Sequence, residues 1–394
     1  MAEKIAVSKW GGLNNVGEYT RTGIGWLSVA DNVDVTDAGR IESREGFTRR
    51  IATPMSGGFS TKDHQRAYVI SGNQVCRVTP GMALVSLATL TVSARMYWAE
   101  VNNHVYFSNG VDYGRIGDDD SCDAWQCGVP APVSLGADPF GRLDAGVYQV
   151  VCTFVMADGR ETGAGTAQAI RIAQGESLSI TNIPQRPGAL TRVYVTPADS
   201  PVFGLAATTA ATSLRWNDSP DMLGEALQTM HLGDVPTGAT VIASYRARMY
   251  AAMYLPAENA SVIWFSKPLQ HHLFDLHEDF LMVPGQVHML ADAGEALLIG
   301  TSIGIHAYNE ESLAELATYG VVPGWPWATD PGTKKVLIWT QRGICDALPF
   351  SNLTSNTVSV PPGAQASLCV VERDGQKKLM ANLIDGGVAF NQRL

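Results

Sequence analysis

Gly300-Thr301-Ser302-Ile303-Gly304 has the G-x-S-x-G form of a hydrolase nucleophile elbow. That chemistry needs the serine on a strained turn between a strand and a helix, with a histidine and an acid brought in by later loops. Here Ile303–Tyr308 reads as a strand, and a second copy of the pattern carries Gln341 where Ser302 stands, so a plain hairpin accounts for the match. His271, His272, His277, His288 and His306 crowd into one stretch. Neutral imidazoles bind zinc, yet this spacing does not set two rings on one helical face as H-E-x-x-H does, and Glu278-Asp279 beside them reads as a polar loop. Asp118-Asp119-Asp120 with Asp123 offers carboxylates to calcium but lacks the glycine and glutamate of an EF-hand loop, so it reads as an acidic surface turn. Any two acids that converge in the folded chain could form a glycosidase pair, and spacing neither selects nor excludes one. Cys122 and Cys127 are spaced C-x4-C with no second pair to complete a zinc site, while Cys76, Cys152 and Cys369 lie in apolar strand patterns and read as small buried hydrophobes. Trp325-Pro326-Trp327 is an aromatic loop that either docks a partner or caps a neighbouring element, with Trp325 and Trp327 as the anchors. The expectation is therefore no catalytic residue, no cofactor and no metal.

The elements that carry these residues are short, rich in Val, Ile, Tyr and Trp, and bounded by Gly, Asn or Asp, as strands and hairpins are. Amphipathic helix patterning is nearly absent, with Glu310–Tyr319 the best short helix. Leu298-Ile299-Gly300-Thr301-Ser302-Ile303-Gly304-Ile305 aligns with Leu337-Ile338-Trp339-Thr340-Gln341-Arg342-Gly343-Ile344 at an offset of 39 residues. That is close to the roughly 40–45 residue period of a propeller blade. A weaker echo runs from Leu379 to Phe390, and two hairpins before residue 120 have the same character. Between them, the long strand around Tyr148–Val155 and the segments Gln168–Ile172, Leu178–Ile183 and Arg192–Thr196 suggest a small fibronectin-like β-sandwich. The expected fold is all-β, a β-propeller with that sandwich inserted. The first blades occupy 1–132, the sandwich 143–197, and the closing blades 236–394.

A net charge of −10 argues against a dedicated DNA binder, which needs clustered Lys and Arg. The same charge suits a surface past which DNA slides, as well as ordinary solubility. No stretch reaches the roughly 20 apolar residues that span a bilayer, and Met1-Ala2-Glu3-Lys4 lacks the apolar segment of a signal peptide. Assembly in a reducing cytoplasm is expected.

Near the N-terminus, Ala30-Asp31-Asn32-Val33-Asp34-Val35-Thr36-Asp37-Ala38-Gly39-Arg40-Ile41-Glu42-Ser43-Arg44-Glu45-Gly46 has the pattern A-x-N-V-D-V-(T/D)-x-x-G-R-I-x-x-R-x-G. This opening is similar to that of tail nozzle and tail hub β-propeller proteins of short-tailed (podovirus-type) phages. Cys127-Gly128-Val129-Pro130-Ala131-Pro132, Tyr245-Arg246-Ala247-Arg248-Met249-Tyr250 and Val262-Ile263-Trp264-Phe265-Ser266-Lys267-Pro268 follow in the order found in that group. The resemblance implies a virion structural protein of the tail, with several copies, six in such proteins, closing a ring. A tail adaptor or tube would lie above, a fibre, needle or plug at the side or tip, and DNA would pass without sequence-specific binding. Read from the residues alone, Asn32, Asp34, Gly39, Arg40, Arg44 and Gly46 belong to a hairpin of the first blade, with a subunit contact as the alternative. Two other functions stay open at this point: a receptor-binding or fibre-anchoring propeller at a tail tip, and a propeller glycosidase acting on host surface polysaccharide.

Overall fold

The computed structural model describes residues 7–18, 23–36, 38–44, 46, 48–373, 376–384 and 390–393. Alternating β-branched and aromatic residues close into antiparallel sheets, and outside 134–216 six of these have four or more strands. Blade 1 consists of Ser56–Ser60, Ala67–Ser71, Gln74–Val78 and Leu84–Thr89, and blade 2 of Tyr97–Val101, His104–Ser108, Tyr113–Ile116 and Cys122–Ala124. Blade 3 comprises Val241–Tyr245, Arg248–Leu255, Ala260–Lys267 and Gln270–Phe274, with Phe280–Pro284 added beside its third strand. Val287–Asp292, Leu297–Thr301, Ile305–Tyr308 and Leu313–Ala317 form blade 4. Trp327–Thr329, Val336–Thr340, Gly343–Asp346 and Ser351–Asn352 form blade 5. Blade 6 is Gln365–Arg373, Gln376–Ile384 and Phe390–Arg393, with Gly324–Trp325 lying parallel to its first strand. Hairpin chemistry explains the tight corners: Asn102 and Asn103 both take positive φ, as a two-residue turn matched to strand twist requires.

The 39-residue repeat falls on equivalent places, the second and third strands of blades 4 and 5. Its threonines do the same work in both copies, with Thr301 Oγ1 donating to the Gly304 carbonyl (3.2 Å) and Thr340 Oγ1 to that of Gly343 (2.8 Å). Gln341 also stitches the copies together, since its side-chain amide donates to the Ser302 carbonyl at 2.8 Å. The first strands of blades 2, 3 and 4 lie side by side and bury one continuous apolar core around Tyr250, Ile263, Phe274 and Leu290. The fold is an all-β propeller, and a small β-sandwich interrupts it between blades 2 and 3.

The sandwich has seven strands in two layers. One sheet orders Ser134–Asp138, Ser177–Thr181 and Ser213–Trp216; the other orders Gln168–Ile172, Gly146–Met156, Ala189–Val195 and Gly204–Thr209. Its strands therefore extend beyond 143–197 at both ends. The outlying segments SLGAD, GLAATT and SLRW are rich in Ser, Ala and Gly, which carry little strand propensity of their own. Tertiary packing recruits them, with Leu178, Ile180, Val193 and Trp216 filling the space between the layers.

Three further expectations change. Residues 310–319 hold no helix; Leu313–Ala317 is the outer strand of blade 4, because pairing with Ile305–Tyr308 satisfies more backbone than an isolated helical turn. Cys369 is exposed, since its strand turns that face to solvent, whereas Cys76 and Cys152 are buried as expected. The N-terminal hairpin Val33–Val35 with Ile41–Ser43 forms its own two-stranded sheet and docks on the last blade, through an ion pair of Asp34 with Lys378 at 2.6 Å. Nearby, Asn15 exchanges side-chain hydrogen bonds with the backbone of Ser359 at 2.7–2.8 Å. Met1–Lys4, Asp37 and Asp385–Ala389 of the weak echo lie outside the described residues.

Candidate functional site

The residues with catalytic or metal-binding potential are dispersed. Ser302 lies in the turn between two strands of blade 4, and its hydroxyl accepts the Gln286 amide at 3.1 Å. The histidines separate as well: His271 and His272 lie in the fourth strand of blade 3, His288 in the first of blade 4, and His306 in the third. These four are buried, and burial lowers the pKa of each; for His288 burial, with the nearby charge of Arg95, brings it down to about 4. They are neutral packing groups at pH 7. His277 sits exposed in a turn. The acidic run is spent on local bonds: Asp119 accepts from the Ser121 amide and hydroxyl (2.9 and 2.6 Å), Asp120 pairs with Arg77, and Asp123 lies 3.5 Å from Arg115. Among the described residues, no three His, Cys, Asp or Glu side chains gather closely enough to hold an ion.

Trp325 and Trp327, in contrast, stand at the centre of the architecture. They are not a free loop. Trp325 ends one short strand, lent to blade 6, Trp327 begins the next, lent to blade 5, and their rings stack at 3.9 Å. Trp325 meets Phe59 of blade 1 edge-on at 6.3 Å and packs against both the core shared by blades 1 and 2 and the core shared by blades 2, 3 and 4. Trp325 thus meets blades 1, 5 and 6 directly and the cores of blades 1 to 4, so the stacked indole pair stands where the sheets converge on the axis of the array. Close by, the Arg95 guanidinium, just ahead of blade 2, donates to the Gln365 side chain of blade 6. Both tryptophans are half-buried, which is the state expected of an axial plug rather than of an exposed docking loop.

The second organised region joins the sandwich to the propeller. The Asp234 carboxylate accepts the backbone amides of Cys127 and Gly128, each at 2.7 Å, and the Gln126 amide group donates to the Val235 carbonyl at 3.0 Å. These bonds clip the outgoing chain to the returning one. Gly163 passes so near Leu232 that an added Cβ would sit 1.9 Å from its carbonyl oxygen, so a side chain is excluded there. The turn 157–160 then reaches back to blade 2, where Asp158 binds Arg115 at 2.6 Å and Arg160 at 2.7 Å. Burial alone would raise Asp158; the Arg160 amide and guanidinium together with Arg115 outweigh it and hold the carboxyl at about 2. His272 of blade 3 bonds the Glu161 carbonyl at 2.9 Å, and the Glu161 carboxylate gathers Thr153, Tyr194 and Arg192 at 2.6–2.9 Å. Neighbouring residues carry no signal for this joint, because Arg115 lies 43 positions from Asp158 and Asp234 lies 106 or more from the amides that it holds.

No protein-family model matches the chain, and a comparison with curated proteins finds no relative. Solved structures do resemble it in outline. Hydrazine synthase of Kuenenia stuttgartiensis is 12% identical, covering 89% of this chain and 99% of that one, with a TM-score of 0.36. Hsv2 of Kluyveromyces lactis is 7% identical over 84% of this chain and 90% of that one, TM-score 0.31. PorZ, a surface component of the type-IX secretion system of Porphyromonas gingivalis, is 13% identical over 91% of this chain, TM-score 0.24, and the chain spans 55% of PorZ. Likeness at this level carries nothing about chemistry.

Of the opening motif, Asp34 is shared between Lys378 and Arg44, the latter at 3.4 Å. Asn32 adopts positive φ, which asparagine tolerates, and Gly39 turns the hairpin at φ +77. A Cβ on Gly39 would collide with Lys9, so glycine is required there. Arg40 and Gly46 are exposed. The motif is thus a clasp on the closing blade.

Proposed function

We propose that this chain is a non-enzymatic structural subunit of a short-tailed phage tail, a nozzle or hub protein that closes a ring with other copies and extends the conduit for DNA. The observation that carries the reading is the architecture itself: a propeller interrupted by one β-sandwich and clasped by an N-terminal hairpin. A propeller is the fold of the group that the ordered motifs resemble. The dispersal of Ser302, the histidines and the acids among structural bonds supports a role played by shape. In this reading DNA travels between copies, because the stacked Trp325 and Trp327 fill the propeller's own axis. A net charge of −10 keeps phosphate from adhering to the walls. An adaptor or tube protein would bind above, and a fibre, needle or plug at the side or tip.

Negative-stain microscopy of the purified protein, together with antibody labelling of virions, tests the proposal. Closed rings and label at the distal tail are expected. A monodisperse monomer with virions free of label would overturn it.

A further inference from the structure

The described residues of 7–44 are knit to one another before they meet the body of the chain. Gly12–Leu13 pairs in parallel with Trp26–Leu27, and Val33–Val35 pairs with Ile41–Ser43; neither sheet adds a strand to a blade. Backbone bonds join the pieces: the Trp10 amide donates to the Gly39 carbonyl at 2.8 Å, the Gly11 amide to that of Gly25 and the Asn14 amide to that of Leu27, both at 2.7 Å. This clasp is a unit of its own. It sits on blade 6 and the loop before that blade. Leu13 packs into the core shared by blades 5 and 6, the Asn15 amide donates to the Thr357 carbonyl at 3.0 Å, the Asn15 side chain bonds Ser359, and Asp34 pairs with Lys378.

That seat leaves most of the clasp's apolar side chains in water. Among the described residues before Ser56 no large apolar side chain is buried, and Ile24 is 73%, Val29 67% and Trp26 41% exposed. The blades and the sandwich, in contrast, bury such residues in continuous cores. The tether to the body is also long. Residues 48–55 form no strand and, Ile51 apart, lie exposed; the body is regained where Ser71 of blade 1 bonds the Pro54 carbonyl at 3.3 Å. The ten steps of chain from Arg44 to Pro54 can span roughly 35 Å, against a radius of gyration of about 21 Å for a domain of this length.

A self-contained unit on a long tether, seated by a few contacts and still showing apolar side chains, has the form of an element that copies exchange. We infer that the clasp of one copy seats on blade 6 of the next, making between chains the contact that the chain makes with itself. The occupant of the seat is residues 7–44 of a second copy, recognised by Leu13, Asn15 and Asp34. Held there, the clasp lies between two bodies, the blade that it grips and the body to which it is tethered, so Ile24, Val29 and Trp26 are covered. Clasp and seat are different surfaces, so the contact is heterologous and propagates from copy to copy, closing a ring when the rotation permits. The inference rests on the proposed ring and names the contact that builds it.

The test uses the full chain with Cys122 and Cys369, the two cysteines that are not buried, changed to Ser. Copies carrying Asn15→Cys and copies carrying Ser359→Cys, differently tagged, are co-expressed and oxidised; a chain carrying both substitutions is oxidised alone. A disulfide between the two tagged chains is expected. Ile24→Asp and Val29→Asp, at exposed positions that leave the fold intact by circular dichroism, are expected to weaken association by at least about tenfold in light scattering. An oligomer in which the doubly substituted chain closes only on itself, or not at all, overturns the exchange and leaves the ring standing. A wild-type chain that stays monomeric, with the disulfide only within the chain, overturns both. A disulfide between chains in an oligomer unmoved by either Asp substitution supports the exchange and overturns the covering of Ile24 and Val29.

Discussion

The axis of the propeller and the joint of its insert solve the same problem, joining separate sheets, with opposite chemistry. At the axis, Trp325 and Trp327 stack among Phe59 and the blade cores, and the union is almost wholly apolar. At the joint, Asp158, Arg115, Arg160, His272, Glu161 and Asp234 meet through directed bonds. Burial of apolar area is non-directional and resists separation, whereas charge-assisted hydrogen bonds fix an angle. The axis holds blades together; the joint aims an arm.

That contrast can be broken most directly at Trp325. Trp325→Ala is expected to cost about 3–5 kcal/mol in denaturant unfolding, spread over all blades. A loss below about 1 kcal/mol would make the indole a surface cap and end the comparison.

Acid should separate the two regions next. Near the axis, His288 titrates at about 4 in the folded chain, below the ordinary 6.5. As pH falls below 6.5 the unfolded chain takes up a proton that the folded one refuses, so stability is lost from there down through about 4. For this buried group the loss is about 3 kcal/mol. His288→Leu should keep more of its melting temperature between pH 7 and pH 4.5 than the wild type. At the joint, Asp158 is depressed from 3.8 to about 2, so its contribution persists above 3.8 and fades only as pH drops through about 2. Protease sensitivity of the insert should accordingly appear at lower pH than loss of the propeller.

Arg115→Met is expected to cost about 1–2 kcal/mol overall, since charged hydrogen bonds contribute on this scale. Hydrogen exchange should quicken in 156–163 while blade 5 is unchanged. Uniform quickening would mean that the joint is part of the propeller core. The smallest effect is expected for Asp34→Ala, below about 1 kcal/mol, with faster exchange confined to the hairpin 33–43 and its partner strand 376–384.

The sequence was legible where a pattern is local. Strand alternation, the threonine-to-glycine hairpins of blades 4 and 5, and the long strand through Tyr148 could be read from neighbouring residues. Leu313–Ala317 was misread because a strand with few β-branched residues depends on a partner that sequence does not display. The axial plug was seen as aromatic, but its place was hidden, because Gly324–Trp325 belongs to blade 6 and precedes blade 5 in the chain. The joint was least legible. Asp234 gains its meaning from two amides more than a hundred residues upstream, and no short-range period records that.

The clip at Asp234 has a consequence for how such a chain can change. Because the outgoing and returning segments are already held a single carboxylate apart, whatever hangs between Gly128 and Asp234 closes its loop at little entropic cost, and that cost grows slowly with length. One cassette can be traded for another, longer or shorter, while the order of the blades on either side is undisturbed. Descent with modification would then act on the arm and the ring at different speeds.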